Sequence, residues 1–208
     1  QQMTIQQTTE KAIIDWQKFG IESAEQVDFQ LSQGGVTLNR VTGDDVSNIF
    51  GKLTSNGDLW LINPNGILFG ANSQVDVHGL LATTSDISNA DFLSSNYNFG
   101  IPSSLSSTVV NQGSITAAEG GLVALVAPGV QNTGIITARL GKVSLASGKT
   151  FTVDLYGDQL INLGVDSQVM SPVMGMDGEA LSSLVTNSGS IFSDGGVVRM
   201  DVNAAQGI

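Results

Sequence analysis

Three stretches of the chain share one pattern, and that pattern restricts the architecture more than any other feature. They are "VNQGSITAAEGGLVAL" (110–125), "QNTGIITARLGKVSL" (131–145) and "VTNSGSIFSDGGVVRM" (185–200). Each carries Asn-x-Gly-x-Ile near its start: Asn111, Gly113, Ile115; Asn132, Gly134, Ile136; Asn187, Gly189, Ile191. A second glycine follows at Gly121, Gly141 and Gly196, and then an alternating apolar pair: Val123/Leu125, Val143/Leu145 and Val198/Met200. The first two copies lie 21 residues apart (111 to 132). A period near 20 is shared by leucine-rich repeats and β-solenoids, but the multi-leucine signature is missing. Short strands broken by Gly and Asn corners predict a parallel β-helix, each strand pairing with its equivalent one coil away. Asn at corners then stacks along the axis, and Gly supplies left-handed bends between faces.

The first half fits the same scheme with less regularity. "VDFQL" places Val27, Phe29 and Leu31 on one face, and "VTLNRV" does so with Val36 and Leu38. "QVDVHGLLA" buries Val75 and Val77 and exposes Asp76 and His78. Between these lies "LWLINPNGILFG" (59–70), two apolar runs around Asn63-Pro64-Asn65-Gly66, with Ile67 opening the second run. Pro64 presets φ for the second turn position, Asn63 accepts a turn hydrogen bond, and Asn65 and Gly66 tolerate unusual φ. This is a stiff corner between two faces of a coil. Residues 44–53, with Val46, Ile49, Phe50 and Leu53 at helical spacing, predict a short helical turn or loop outside the regular coil, as does "SDISNADFLSSN" (85–96) after its capping residues. No linker interrupts the pattern, so residues 1–208 form one domain.

Composition agrees with many short strands. Only 13% of residues are charged, 41% are hydrophobic and 25 are glycine. The net charge of −11 argues against nucleic acid and anionic membrane as partners. There is no cysteine, so core and hydrogen bonds alone hold the fold and periplasmic oxidation cannot lock it. Residues 1–10 are polar, without the apolar core of a signal peptide, and no stretch approaches a membrane span.

Taken in order, Trp16/Phe19, Leu38-Asn39-Arg40-Val41, Asn63 to Gly66, Asp86-Ile87-Ser88 and the Asn-x-Gly-x-Ile coils make a specific series. It resembles the N-terminal secretion domain of two-partner secretion exoproteins of the filamentous-haemagglutinin type, over nearly the whole chain. Asn-Pro-Asn-Leu, the other short motif of the haemagglutinin-like branch, is absent, which brings the chain nearer the high-molecular-weight adhesins. The resemblance implies a right-handed parallel β-helix with strands outside the coil and an N-terminal cap. It implies a bacterial exoprotein, secreted or held at the surface of a Gram-negative-type cell after crossing the periplasm. It also implies recognition by an outer-membrane pore with periplasmic POTRA-type domains, then surface folding that starts from this domain. No cofactor or metal is implied, a monomer is expected, and host-surface ligands would be met by the rest of the exoprotein. Asn63 to Ile67 and Leu38 to Val41 are the partner-recognition or folding motifs, and Trp16 and Phe19 the cap or partner anchor.

Two other classes compete. One is an adhesin module binding host carbohydrate or protein itself, which calls for a large exposed apolar or aromatic patch. The other is a β-helix polysaccharide lyase, which needs clustered carboxylates with a basic residue. Arg139, Lys142, Arg199, Asp154 and Asp201 do not repeat at one position, and neither glycine pair completes a Ca²⁺-binding nonapeptide. His78 is the only histidine, which disfavours a zinc site or catalytic triad, and Asp44-Asp45 read as charges before a helical turn. An enzyme is not expected.

Overall fold

A computed structural model of the chain describes residues 1–102, 107–155, 161–164 and 168–204. The backbone winds through successive coils. β1 (Gln2–Gln7) and β2 (Lys11–Trp16) form the first coil, and β3 (Gln26–Leu31), β4 (Val36–Val41) and β5 (Ser47–Ile49) the second. β6 (Lys52–Ile62) and β7 (Ile67–Phe69) make the third, and β8 (Gln74–Thr83) opens the fourth. An excursion carrying α1 (Asn89–Leu93) and β9 (Asn98–Phe99) precedes β10 (Thr108–Asn111), which closes it. The fifth coil is β11 (Ser114–Ala117), β12 (Leu122–Ala127) and β13 (Gly129–Asn132). The sixth has β14 (Ile135–Thr137) and β15 (Lys142–Ser147), then an excursion with β16 (Phe151–Val153) and β17 (Ile161–Leu163), then β18 (Val185–Asn187). The last is β19 (Ser190–Phe192) and β20 (Val197–Val202).

Every pairing along the stack is parallel. The first face runs β1-β3-β6-β8-β11-β14-β19 and the third runs β5-β7-β10-β13-β18. The second face runs β2-β4-β6-β8-β12-β15-β20, since β6 and β8 bend to serve two faces, with a register irregularity between Ser55 and Asp58. This is a parallel β-helix, as the repeat predicts. Ile115, Ile136 and Ile191 stand in register, as do Val123, Val143 and Val198. No helix among the described residues is long and apolar enough to cross a membrane.

Two cores result. Inside the coil, Leu59, Leu61, Leu80, Ala82, Val123, Leu125, Val143 and Leu145 line the second face, and Phe29, Phe69 and Ile136 belong to the same cluster. The intervening residues of that face point outward yet are also buried: Leu38, Trp60, Ile62, Leu81, Ala124, Val126 and Ala146. What covers them is the pair of excursions. β9, β16 and β17 form a small antiparallel sheet, and α1 supplies Phe92. Trp60 meets Tyr97 at 4.7 Å and Phe92 at 5.5 Å edge to face, and Phe99 stacks on Phe151 at 4.5 Å. The unbroken run Leu59-Trp60-Leu61-Ile62 is therefore a strand buried on both sides, for which alternation is not required.

Three expectations need correction. Residues 44–53 are not helical: Ser47 to Ile49 is a strand and the next strand starts at Lys52. Ile49 is fully buried beside Phe69, so pairing along the axis overrides the local spacing. Val198 and Met200, in register with buried Val143 and Leu145, are 44% and 48% exposed because they lie on the last coil. The corner glycines Gly113, Gly134 and Gly189 are not left-handed. They are required because a β-carbon on Gly134 or Gly189 would strike the carbonyl oxygen of the glycine one coil earlier, and one on Gly113 would strike Ser73. The other helical turn is present: Ser88 caps α1, its Oγ accepting from the Asp91 N–H at 3.1 Å.

Candidate functional site

The corner Asn63 to Gly66 is tied to the coils on both sides. Asn63 is wholly buried. Its Nδ2 donates to the Asp45 carbonyl and Ser47 Oγ, both at 2.9 Å, and its Oδ1 accepts from the Asn65 N–H at 2.9 Å. The Asn63 N–H donates to the Thr83 carbonyl one coil further on, and Ser107 Oγ donates to the Pro64 carbonyl. Asn65 Nδ2 reaches back to the Gly43 carbonyl at 2.8 Å. The turn closes with the Gly66 N–H donating to the Asn63 carbonyl at 3.1 Å. Of its residues only Gly66 has positive φ, at 114°, so Asn65 is held by its side chain and not by an unusual backbone. Asn first, Pro second and Gly fourth are the preferences of a type I turn. Ile67, the next residue, is fully buried in the coil.

Gly66→Val is expected to cost about 2 kcal/mol, because a side chain resists that φ. Its β-carbon would also stand 3.1 Å from the Thr108 carbonyl. Thermal unfolding should show the midpoint falling by roughly 6 °C; an unmoved midpoint would remove strain from the account of this corner.

The remaining motif residues converge on β4. Trp16 Nε1 donates to Asn39 Oδ1 at 3.0 Å, and the Trp16 ring packs edge to face on Phe19 at 5.3 Å. Phe19 is buried in the coil interior at its N-terminal end, with Trp16 half-buried against the same cluster. Val41 faces that interior, while Leu38, in the second core, and the wholly buried Asn39 precede it on β4. Arg40 points outward into a clasp. Its Nε donates to both carboxylate oxygens of Asp86 at 2.9 and 3.0 Å, NH1 to Asp15 and Asn89, and NH2 to the Ile87 carbonyl at 2.8 Å. Burial alone would lower its pKa, but Asp86 and Asp15 outweigh that and raise it, so the clasp stays charged. Two motifs 46 residues apart thus form one contact, which sequence spacing does not reveal. Lys11 secures the other end of the excursion, donating to the Phe92 and Leu93 carbonyls.

Arg40→Ala is expected to lower stability by about 2 kcal/mol, since Asp86, Asn89 and the Ile87 carbonyl lose donors. Asp86 is partly solvated, which limits the loss. Urea unfolding of Arg40→Ala and Arg40→Lys should rank both below the parent, lysine lacking the forked geometry. A lysine variant equal to the parent would show that charge alone suffices.

The coil corners form a ladder. Asn111 Nδ2 donates to Asn132 Oδ1 and Asn132 Nδ2 to Asn187 Oδ1, each at 2.7 Å, and Asn111 Oδ1 accepts from the Gly113 N–H. His78 is an outward strand residue, its Nδ1 2.7 Å from Asp58 Oδ1. Arg199 lies 3.4 Å from Asp201 on its own strand. No group of three or more His, Cys, Asp or Glu among the described residues could hold a metal.

Comparison with known proteins decides the family. The model of the TPS secretion domain matches residues 1–206. The chain belongs to this family. Among curated relatives of this TPS domain is a heme/hemopexin-binding protein of Haemophilus influenzae, 44% identical over 98 residues, 47% of this chain and 11% of the relative. A second, from Haemophilus influenzae strain ATCC 51907 / DSM 11121 / KW20 / Rd, is 34% identical over 185 residues, 85% of this chain and 20% of the relative. The TPS domain thus spans a fifth or less of these relatives. The crystal structure of the HMW1 secretion domain from Haemophilus influenzae superposes with a TM-score of 0.77 at 31% identity, covering 97% of this chain and 52% of that one.

Proposed function

We propose that this TPS domain addresses a longer exoprotein to an outer-membrane pore and nucleates its folding at the cell surface. The match to a secretion-domain family over residues 1–206 carries the reading. The likeness to a solved secretion domain over 97% of the chain supports it. The pore's periplasmic POTRA-type domains are the proposed receptor. The net charge of −11 would speed encounter with a basic receptor surface. The geometry favours folding roles for the motifs: the polar atoms of Asn63 are bonded within the domain, and Phe19 is buried. Trp16 and Phe19 then act as a plug over the first coil, and Asn63 to Gly66 sets the angle between two faces.

The domain is proposed to act by binding, not catalysis. An adhesin role for this segment would draw on the exposed apolar residues of β19 and β20, Phe192, Val197, Val198, Met200 and Val202, of which Phe192 alone is aromatic. Capture of a ligand such as haem or haemopexin, after the relatives' names, would belong to the whole exoprotein.

Residues 1–208 behind a signal peptide should reach the medium only when the cognate pore is co-expressed. Immunoblots of medium and periplasm measure this. Equal export without the pore would end the targeting reading.

A further inference from the structure

Asn-Gly occurs twice in the chain, at Asn56-Gly57 and Asn65-Gly66, and both copies fall in the third coil. This dipeptide is the one most open to deamidation, because glycine has no side chain to hinder attack by its own nitrogen. That nitrogen attacks the asparagine Cγ. The Cγ–Nδ2 bond breaks, ammonia leaves, and the main chain closes into a succinimide ring. Water then opens the ring at either carbonyl. One product is aspartate. The other is isoaspartate, in which the main chain runs through Cβ and is one atom longer. The net change consumes a water, releases ammonia and replaces a neutral amide with a carboxylate. Nothing is oxidised or reduced.

The fold engages both reacting groups at both places. Asn56 sits in the irregularity that bends β6 between two faces. Its Nδ2 donates to the Leu31 carbonyl at 3.0 Å, and its Oδ1 accepts from the Leu31 N–H at 2.7 Å. The Gly57 N–H donates to Ser55 Oγ at 3.2 Å. At the corner, Asn65 Nδ2 donates to the Gly43 carbonyl at 2.8 Å and to Asn63 Oδ1 at 3.1 Å. The Gly66 N–H donates to the Asn63 carbonyl at 3.1 Å. Each carboxamide is thus anchored on the coil before it, and each attacking nitrogen has its proton in a local hydrogen bond. The reaction needs that proton lost and the carboxamide swung onto the nitrogen. Both movements are opposed while the coil is wound and unopposed in the unfolded chain.

We infer that Asn56 and Asn65 are deamidation sites shielded by folding, and that modification of either one before the coil winds impairs winding. A carboxylate accepts hydrogen bonds and donates none. At position 65 it would turn oxygens toward the Gly43 carbonyl and Asn63 Oδ1, where the amide now donates. At position 56 it would keep the Leu31 N–H and lose the bond to the Leu31 carbonyl. Isoaspartate at 65 adds a main-chain atom inside a turn that the Gly66 N–H and the Asn63 carbonyl close. The bearing on export rests on the surface-folding part of the proposed function. Time spent unwound before the pore is then time in which the third coil is damaged, and the two carboxamides limit how long delivery can wait.

The test holds residues 1–208 in mildly alkaline buffer, folded in one arm and unfolded in guanidinium in the other. Peptide mass spectrometry maps aspartate and isoaspartate over time. In guanidinium, positions 56 and 65 should convert ahead of every other asparagine. In the folded arm each should convert roughly a hundredfold or more slower, since only the small unfolded fraction reacts. The guanidinium-aged chain is then diluted to refold and treated with protease. Modification at 56 and 65 should be depleted from the resistant fraction and enriched in the digested one. Freshly made Asn56→Asp and Asn65→Asp isolate the lost donor from the lengthened main chain, and each should melt below the parent or fail to refold.

Conversion in the folded arm as fast as in guanidinium would overturn the shielding. Equal recovery of modified and unmodified chains would overturn the effect on winding. Melting temperatures equal to the parent's for both aspartate variants would overturn the part given to the lost donors. No pore takes part in these measurements, and pore-dependent export is read separately, so failure here and failure of targeting are distinguishable.

Discussion

Trp60→Ala is expected to be among the most damaging single substitutions in the chain, with a loss of about 3 to 5 kcal/mol. Trp60 is 3% exposed. It lies outside the coil, where Phe92, Tyr97 and Phe99 crowd around it. Removing the indole leaves a void between the coil and the covering layer, and neither wall can close it. The coil is held by its backbone pairing, and the layer is pinned by Arg40 to Asp86 and by Lys11 to the end of α1. Edge-to-face aromatic contacts are lost as well, about 0.5 to 1.5 kcal/mol apiece. Chemical denaturation would measure the loss. Near-ultraviolet circular dichroism should show the aromatic signal collapse while the far-ultraviolet strand signal persists. A loss below 1 kcal/mol would mean that the layer does not pack on the coil as described.

Gly134→Ala is expected to cost about 3 kcal/mol or more, at the upper end of overpacking effects. The added β-carbon would strike the Gly113 carbonyl oxygen and stand 2.6 Å from the Gln112 carbonyl carbon. These are backbone atoms, and the hydrogen bonds between coils fix their distance. The Ile135 N–H donates to that same Gly113 carbonyl at 2.8 Å. Gly120 is the control. It has φ of 79° with open space where a β-carbon would go, so Gly120→Ala should cost only about 1 kcal/mol. If left-handed backbone were the reason for every corner glycine, the ranking would reverse. Paired thermal melts of the two variants decide between these accounts.

The contrast shows what a single sequence discloses. Asn-x-Gly-x-Ile at a 21-residue spacing contains the coil, its register and its interior columns, because stacking equivalent residues is the one way such short strands bury themselves. The alternation at Val75 and Val77, with Asp76 and His78 outward, was equally legible. The spacing of Val46, Ile49, Phe50 and Leu53 pointed to a helix because local pattern says nothing of a partner strand dozens of residues away. The clasp between Arg40 and Asp86 was hidden for the same reason, although both motifs are visible. The second core did leave a trace in Leu59-Trp60-Leu61-Ile62, where the absence of alternation signals burial on two sides. What covers those residues is α1, β9, β16 and β17, which lie in stretches of sequence that carry no repeat.

The join between β9 and β16 sets a timetable. Phe99 finds its stacking partner only when Phe151 is present, and Phe151, Val153 and Ile161 belong to the same buried cluster as Trp60. A chain that becomes available from its N-terminus can wind several turns early, but those turns keep a greasy flank in water. Commitment waits for a segment some fifty residues downstream of the first excursion. On this packing we expect the early windings to be less stable until that segment arrives, like a latch that engages late.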